Sequence, residues 1–449
     1  MMQNIEAFLS SINSLVWGPP MLVLLLGTHI FLTFRLKFIQ RHVGKGIQLS
    51  ISKNDEKAKG DVSPMGSLMT ALAATIGTGN IIGVATAVSI GGPGAVFWLW
   101  ITGVFGIATK YSEALLSVKY RIATKTGEMA GGPMYVLERG LKMKWLAVVF
   151  AVLTSIAAFG IGCTVQANSI ACLMKDTFAI NPSVTGIVLA VLTAAVILGG
   201  IKSIAKVCSF LVPFMAVFYI SGCLVILAVG ISTVPNTVWL IISSAFTAHG
   251  MVGGFAGASW LMALRYGVAR GLFSNESGMG SAPIAAAASR ARNPVRQALV
   301  SSTGTFWDTV VVCLITGLVL VNTGVWQKGL AAPLLTSAAF GSVHGLGPVV
   351  LTVALLTFVF STLIGWSYYG EKTIEYLGGQ RLIFPYRILW CVMVYFGSVF
   401  SLSFVWDAAD ICNGLMAIPN LASLLLLSGV IVKETRHYLW EKRLNEEGA

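Results

Sequence analysis

Apolar stretches of roughly 20 residues recur from one end of the sequence to the other, each long enough to cross a hydrocarbon core of about 30 Å as an α-helix. That repetition leaves few folds open. In lipid every backbone N–H and C=O must find a partner within the protein, which a helix provides locally, so the chain is expected to be an all-α membrane protein. Of its 449 residues, 56% are hydrophobic and only 11% charged, against about 25% charged in soluble domains. The net charge of +12 would point to nucleic acid in a soluble protein. Here Lys and Arg cluster at the ends of apolar segments, the usual footprint of membrane topology, so no nucleic-acid partner is expected.

The apolar windows predict eleven transmembrane helices near Val16 to Arg35, Ser67 to Ile90, Ala95 to Tyr120, Trp145 to Leu173, Val184 to Gly199, Val207 to Ile231, Gly253 to Ala288, Ala298 to Val321, Val349 to Tyr369, Ile388 to Phe404 and Asn413 to Val432. They form one transmembrane domain over 1–449: an extra N-terminal helix (16–35), two five-helix sets (67–231 and 253–432) and a tail (433–449). The connections alternate sides. One side collects 26 Lys and Arg, with Lys110 and Lys119 to Lys144 in one group, whereas the other side holds Lys175 and Lys328, and Arg265 and Arg270 lie within the seventh segment. The basic side is cytoplasmic, placing the N-terminus outside and the C-terminus inside. The loop from Arg35 to Lys59 reads as a solvated, topology-setting segment that touches anionic lipid. No basic region precedes the first apolar run, so the first helix is expected to remain in the mature protein. Seven cysteines (Cys163, Cys172, Cys208, Cys223, Cys313, Cys391, Cys412) show no CxxC pair and read as packing residues. His29, His42, His249, His344 and His437 are scattered, and no HExxH or G-x-S-x-G motif occurs. No enzyme, organic cofactor or obligate protein partner is implied.

Two segments interrupt the pattern. The second contains Thr75-Ile76-Gly77-Thr78-Gly79-Asn80, and the seventh contains Phe273-Ser274-Asn275-Glu276-Ser277-Gly278-Met279-Gly280-Ser281. Two glycines beside Asn, Ser and Glu make an unbroken helix at mid-membrane costly. Unwound backbone in lipid survives only where it lines a cavity or is buried in protein. A single G-x-G could equally be a close helix-packing face, but these two motifs sit at matching positions, each in the first helix of a five-helix set. An odd number of helices per set inverts one half relative to the other. The pattern predicts a 5+5 inverted-repeat core with two discontinuous helices, as in secondary transporters.

Unwound centres expose free N–H groups that attract an anion and free carbonyls that attract a cation, and a zwitterion satisfies both. Amides around Thr78, Gly79 and Asn80 are candidate carboxylate donors. Gly79 lacks a Cβ, so its N–H can approach a ligand closely and its backbone can adopt positive φ. Carbonyls near Phe273 and Ser274 could take an ammonium, while Phe273 and Trp366 can close off a small pocket. The break residues Gly77, Asn275 and Gly278 belong to the same candidate set. In the ninth span Phe358, Ser361 and Thr362 share a face. Their hydroxyls and carbonyls are hard oxygen donors suited to sodium, although such hydroxyls also bond their own i−4 carbonyls. Gln166 could project its amide into the cavity or bond a neighbouring helix. Glu276 and Asp308 are costly at membrane depth and need partners, with Arg270 or Arg265 the obvious ones, unless they handle ligand or ion directly.

These motifs, with Thr70 to Asn80, Gly91-Gly92-Pro93-Gly94-Ala95-Val96-Phe97-Trp98-Leu99-Trp100 and Gly131-Gly132-Pro133-Met134-Tyr135, carry a resemblance over essentially the whole chain. It resembles the alanine or glycine/cation symporters, often called sodium:alanine symporters, with Leu99 departing from the Met common there. The resemblance implies a leucine-transporter-like 5+5 core preceded by one extra helix. It puts substrate positions on Thr75, Thr78, Gly79, Phe273, Ser274 and Trp366. Sodium positions fall on the carbonyls of Ala73, Ile76 and Phe358 and the hydroxyls of Ser361 and Thr362. Gln166 and Glu276 match more loosely. The implied activity is import of a small neutral amino acid, alanine or glycine, with sodium by alternating access across a prokaryotic cytoplasmic membrane. Proton coupling and a channel are the alternatives.

Overall fold

The computed structural model describes residues 2–52, 58–246, 260–343, 345–400 and 403–447. His249, His344 and the start of the seventh predicted span, from Gly253 to Ser259, lie outside the described residues.

Helices account for nearly all of it, as apolar runs without strand-like alternation require. They include α1 (Met2–Val16), α2 (Pro19–Arg35), α3 (Pro64–Thr75), α4 (Val84–Gly91), α5 (Gly94–Lys119), α6 (Lys144–Ala157), α7 (Val165–Phe178), α8 (Pro182–Ile197) and α9 (Gly200–Val229). Then come α10 (Trp260–Asn275), α11 (Ala282–Ala287), α12 (Pro294–Thr305), α13 (Leu314–Asn322), α14 (Leu346–Gly378), α15 (Ile383–Val399) and α16 (Ser403–Leu426). Among the described residues, seven helical segments are long and apolar enough to cross a membrane. An eighth is counted if the bent pair Pro64–Thr75 and Gly79–Gly91, which meet at 54°, forms one span.

Side-chain polarity sorts the helices into an outer and an inner set. α8, α9 and α15 present Val184, Val191, Phe210, Val217, Phe384 and Phe396 outward, the dress of lipid-facing surface. α5 is the reverse: from Ile107 to Val118 every residue is buried, Lys110 and Glu113 included. Lys110 therefore does not stand at a helix end as the charge pattern suggested, but inside the protein at 4% exposure.

Three helices change pitch where they meet the centre. π-helical turns cover Ala158–Thr164 between α6 and α7, Phe306–Cys313 between α12 and α13, and Gly79–Gly83 ahead of α4. Such turns widen the helix and re-aim side chains, and they concentrate at functional sites. The ends of the two interrupted helices are joined by backbone: Val62 and Ser289 form a parallel bridge, and Arg290 N–H donates to the Val62 carbonyl at 2.8 Å. Arg121, from the turn after α5, donates to the carbonyls of Ala287, Ser289 and Lys59 at 2.9, 2.7 and 2.9 Å.

Candidate functional site

Both sequence-predicted breaks are present, the first held open by a side chain of its own and the second by side chains from elsewhere. α3 ends at Thr75 because Ile76 takes an extended conformation with φ −76° and ψ 98°. The Gly77 N–H then donates to Asn80 Oδ1 at 2.8 Å, so a side chain replaces the missing helical carbonyl. α10 ends at Asn275, after which Glu276, Gly278 and Gly280 have φ of 52°, 94° and 86°. That left-handed run explains why two of the three are glycine. The N–H groups of Gly278 and Gly280 both donate to Glu113 Oε1 at 3.0 Å. Asn420 Nδ2 donates to the same oxygen at 2.6 Å and to the Gly278 carbonyl at 2.8 Å. The freed N–H groups of Gly77, Gly278 and Gly280 are thus satisfied within the protein, as burial in lipid demands. Gly79 itself is absent from the positive-φ residues; its role is room, not handedness.

One carboxylate ties the two breaks together. Asp308, on the π turn between α12 and α13, accepts from Asn80 Nδ2 at 2.7 Å, from Ser274 Oγ at 3.0 Å and from Thr309 Oγ1 at 2.7 Å. Glu276 accepts from the Ser281 hydroxyl. The expected arginine partners are therefore replaced by amides and hydroxyls. Arg265 and Arg270 line a different pocket of about 250 Å³ with Trp17 and Asp410, because neutral donors already surround the carboxylates and a long guanidinium side chain gains more nearer water.

Between the breaks lies a small cavity of about 20 Å³. Of the predicted substrate positions, Thr75, Gly77, Thr78, Gly79, Gln166, Phe273, Ser274 and Trp366 line it. Asn80, Asn275 and Gly278 do not. Asn80 is taken up by Gly77 and Asp308, Asn275 Oδ1 accepts the Ser277 N–H at 2.9 Å, and Gly278 faces Leu25 and Leu421. Glu276 and Thr362, named in the sequence for ligand or ion handling, also line it, and Ala74, Ile161 and Asn413 join the lining unforeseen. Gln166 Nε2 donates to the Ile161 carbonyl at 3.0 Å, a partner the π turn supplies. Among the described residues, Gln166 Oε1 is left without a partner, and so is Asn413 Oδ1. Asn413 carried a usable signal, a carboxamide in an apolar span, which is costly unless it has work to do. Phe273 also borders the 250 Å³ pocket, so its ring stands between that pocket and the cavity.

The predicted sodium positions gather on the adjoining face of α14. Ser361 Oγ donates to the Phe358 carbonyl at 2.8 Å and lies 3.2 Å from the Ala73 carbonyl, while Thr362 Oγ1 donates to Phe358 at 2.9 Å. A Cβ built on Gly77, next to Ile76, would stand 2.7 Å from Thr362 Oγ1. The hydroxyls do bond their own helix carbonyls, and they do so while facing the break in α3.

The family model for the sodium:alanine symporter family matches residues 2–448. The sodium/alanine symporter AgcS of Methanococcus maripaludis is 53% identical, the alignment covering 98% of each chain. An uncharacterized transporter of Haemophilus influenzae is 50% identical, again over 98% of each. Among solved structures, the crystal structure of MhsT in complex with L-phenylalanine superposes with a TM-score of 0.56 at 13% identity, covering 84% of this chain and 98% of that one.

Proposed function

The chain belongs to the sodium:alanine symporter family, and from that premise we propose that it imports a small neutral amino acid, alanine or glycine, together with sodium. The single observation that carries the reading is the cavity where both helix breaks meet, with the unpartnered oxygens Gln166 Oε1 and Asn413 Oδ1 and the Glu276 side chain in its wall. An ammonium group is the complement of such acceptors. The substrate carboxylate lies at the Thr78 and Gly79 amides, where the second half of the interrupted helix begins and its dipole favours negative charge. At about 20 Å³ the cavity holds water-sized particles only, so even alanine enters by parting Phe273 and Trp366. A long side chain finds no space.

Sodium binds at the carbonyls of Ala73, Ile76 and Phe358 and the hydroxyls of Ser361 and Thr362. Thr362 also lines the substrate cavity, and Gly77 touches both sites. Filling either site fixes the same stretch of unwound backbone, so each ligand lowers the cost of ordering the site for the other, and by linkage the effect is mutual. Asp308 acts as a positioning group that holds the two breaks in register.

Eleven helices cross the membrane, with the N-terminus outside and the C-terminus in the cytoplasm of a prokaryote. The helix at 16–35 precedes two inverted five-helix repeats, 67–231 and 253–432. Alternating access parts Phe273 on the outer side, and on the inner side breaks the Arg121 and Val62–Ser289 contacts. Uptake of labelled alanine into proteoliposomes under an imposed sodium, potassium or proton gradient tests this. Accumulation driven by sodium is expected; accumulation driven by protons alone would transfer the coupling role to Glu276, and flux without accumulation would mean a channel.

A further inference from the structure

After the last long helix the chain continues as a helix, Ser428–Thr435, and a π-helical turn, Arg436–Trp440, and then folds back onto the start of α12. Asn293 Nδ2 donates to the carbonyls of Leu444 and Glu446, both at 3.0 Å, and Arg296 Nη1 donates to Asn445 Oδ1 at 3.1 Å. Between this returning tail, the end of α5 and the turn before α12 lies a cavity of about 750 Å³. Arg121, which holds the carbonyls of Lys59, Ala287 and Ser289, stands in its wall. The cavity therefore adjoins the strap that joins the ends of the two interrupted helices.

Six Lys and Arg side chains line it against two Glu: Lys59, Lys119, Arg121, Arg292, Lys433 and Arg436 face Glu434 and Glu441. Both carboxylates are already engaged. Glu434 pairs with Lys119 at 2.8 Å, and Glu441 stands 3.6 Å from Arg443 and 3.7 Å from His437. The bonds of Arg121 go to carbonyls, which satisfy its protons and leave its charge, and the Asp61 that acts on it through space stands outside the cavity. Among the described residues, the side chains of Lys59, Lys433 and Arg436 make no hydrogen bond or ion pair. Membrane topology asks that such charges lie on one side of the bilayer, not that they converge. Here four distant stretches of chain bring them round one hollow.

The same wall includes the apolar side chains of Val118 and Met129, so the space suits an anion with an organic body. A carboxylate offers two oxygens and one charge. A phosphate offers more acceptor oxygens and up to two charges, and guanidinium groups match its geometry. We propose that this cavity binds a phosphate ester, held by Lys59, Lys433 and Arg436 with Arg121 behind them. Bound there, it ties the tail to the end of α5 and to the strap across both broken helices. The ester can come from the cytoplasm or from the headgroup of an anionic lipid, and the chemistry of recognition is the same.

The test is calorimetric titration of the purified full-length protein in an uncharged maltoside detergent at low salt. One arm uses glycerol 3-phosphate; the other uses dihexanoyl phosphatidylglycerol, with dihexanoyl phosphatidylcholine as its neutral counterpart. Saturable one-to-one binding is expected in at least one arm, and the arm that responds identifies the source. Lys433 and Arg436 are exposed, so the double variant Lys433→Gln with Arg436→Gln should fold normally. It should bind about tenfold more weakly, two partly screened charge contacts having been removed. Lys202→Gln with Lys206→Gln removes as many charges from a separate pocket and should leave binding unchanged. No saturable binding in either arm, phosphatidylcholine binding as tightly as phosphatidylglycerol where the lipid arm alone responds, or equal weakening in the two double variants would mean diffuse surface charge only and would overturn the site. Alanine uptake is not the readout, so a negative result leaves the symport reading standing.

Discussion

Removing the Thr362 hydroxyl should separate ion binding from folding. In Thr362→Ala one of five proposed sodium oxygens is lost, and a contact to a charged group is worth about 1.5–3 kcal/mol, or roughly 10- to 150-fold in affinity. Ser361 cannot substitute for it, because its Oγ is already committed between the carbonyls of Phe358 and Ala73 at 2.8 and 3.2 Å. The sodium concentration for half-maximal alanine uptake should therefore rise about tenfold or more. Folding should be little affected: the Phe358 carbonyl keeps the Ser361 hydroxyl as a donor, so the lost bond costs about 1 kcal/mol. Thr362→Ser, which retains an oxygen, should titrate close to wild type. A companion variant approaches the same atom from the other side. In Gly77→Ala the new Cβ would stand 2.7 Å from Thr362 Oγ1, displacing the hydroxyl and weakening sodium in turn. Combined with Thr362→Ala the clash disappears, so the two effects should fall short of adding. The assay is proteoliposome uptake over a sodium titration, with size-exclusion profile and thermal unfolding as controls. Unchanged sodium dependence in well-folded Thr362→Ala would refute the placement of the ion.

Gly79→Ala should retain alanine binding within about threefold, because a Cβ there meets Phe273 Cδ1 and Ser274 Cα at an ordinary 3.5 Å, an order-of-magnitude expectation for a contact without strain. Gly79→Leu should abolish binding by filling the cavity, and wild-type affinity in that variant, measured by labelled-alanine binding, would remove the break from the substrate site. Trp366→Ala should weaken alanine binding and let leucine compete, at a stability cost of about 3–5 kcal/mol for so large a buried ring; intact alanine transport with no leucine competition would show that Trp366 does not limit the pocket. Alaninamide, which keeps the ammonium and lacks the carboxylate, should fail to compete with alanine, and strong competition would place the carboxylate site elsewhere.

The break positions were readable because their causes are local. Glycine and small polar residues lower helix stability wherever they stand, so Gly77 to Asn80 and Ser274 to Gly280 announced interruptions before any fold was known. The clustering of Thr75, Gly79, Phe273, Ser274 and Trp366 around one cavity was likewise foreshadowed by motif position. The direction of each amide was not. Asn80 and Gln166 look alike in sequence, yet Asn80 bonds Gly77 and Asp308 while Gln166 bonds Ile161 and lines the cavity. Asn413 reaches the same cavity from the last long helix, marked in the sequence only as a carboxamide in an apolar span.

What the sequence determined by itself is therefore the membrane class, the apolar helices and the two places where helix gives way, since each depends on residues within a turn or two. What only the tertiary structure decided is how the freed and buried polar groups are satisfied. Glu113 receives the Gly278 amide across 165 residues and Asn420 across 307, Asp308 takes Asn80, Ser274 and Thr309 as partners in place of the expected arginines, and Lys110 sits deep in α5 instead of at a helix end. Burial in lipid requires that every such group have a partner, but it does not say which one. That choice belongs to the packing of helices far apart in the chain.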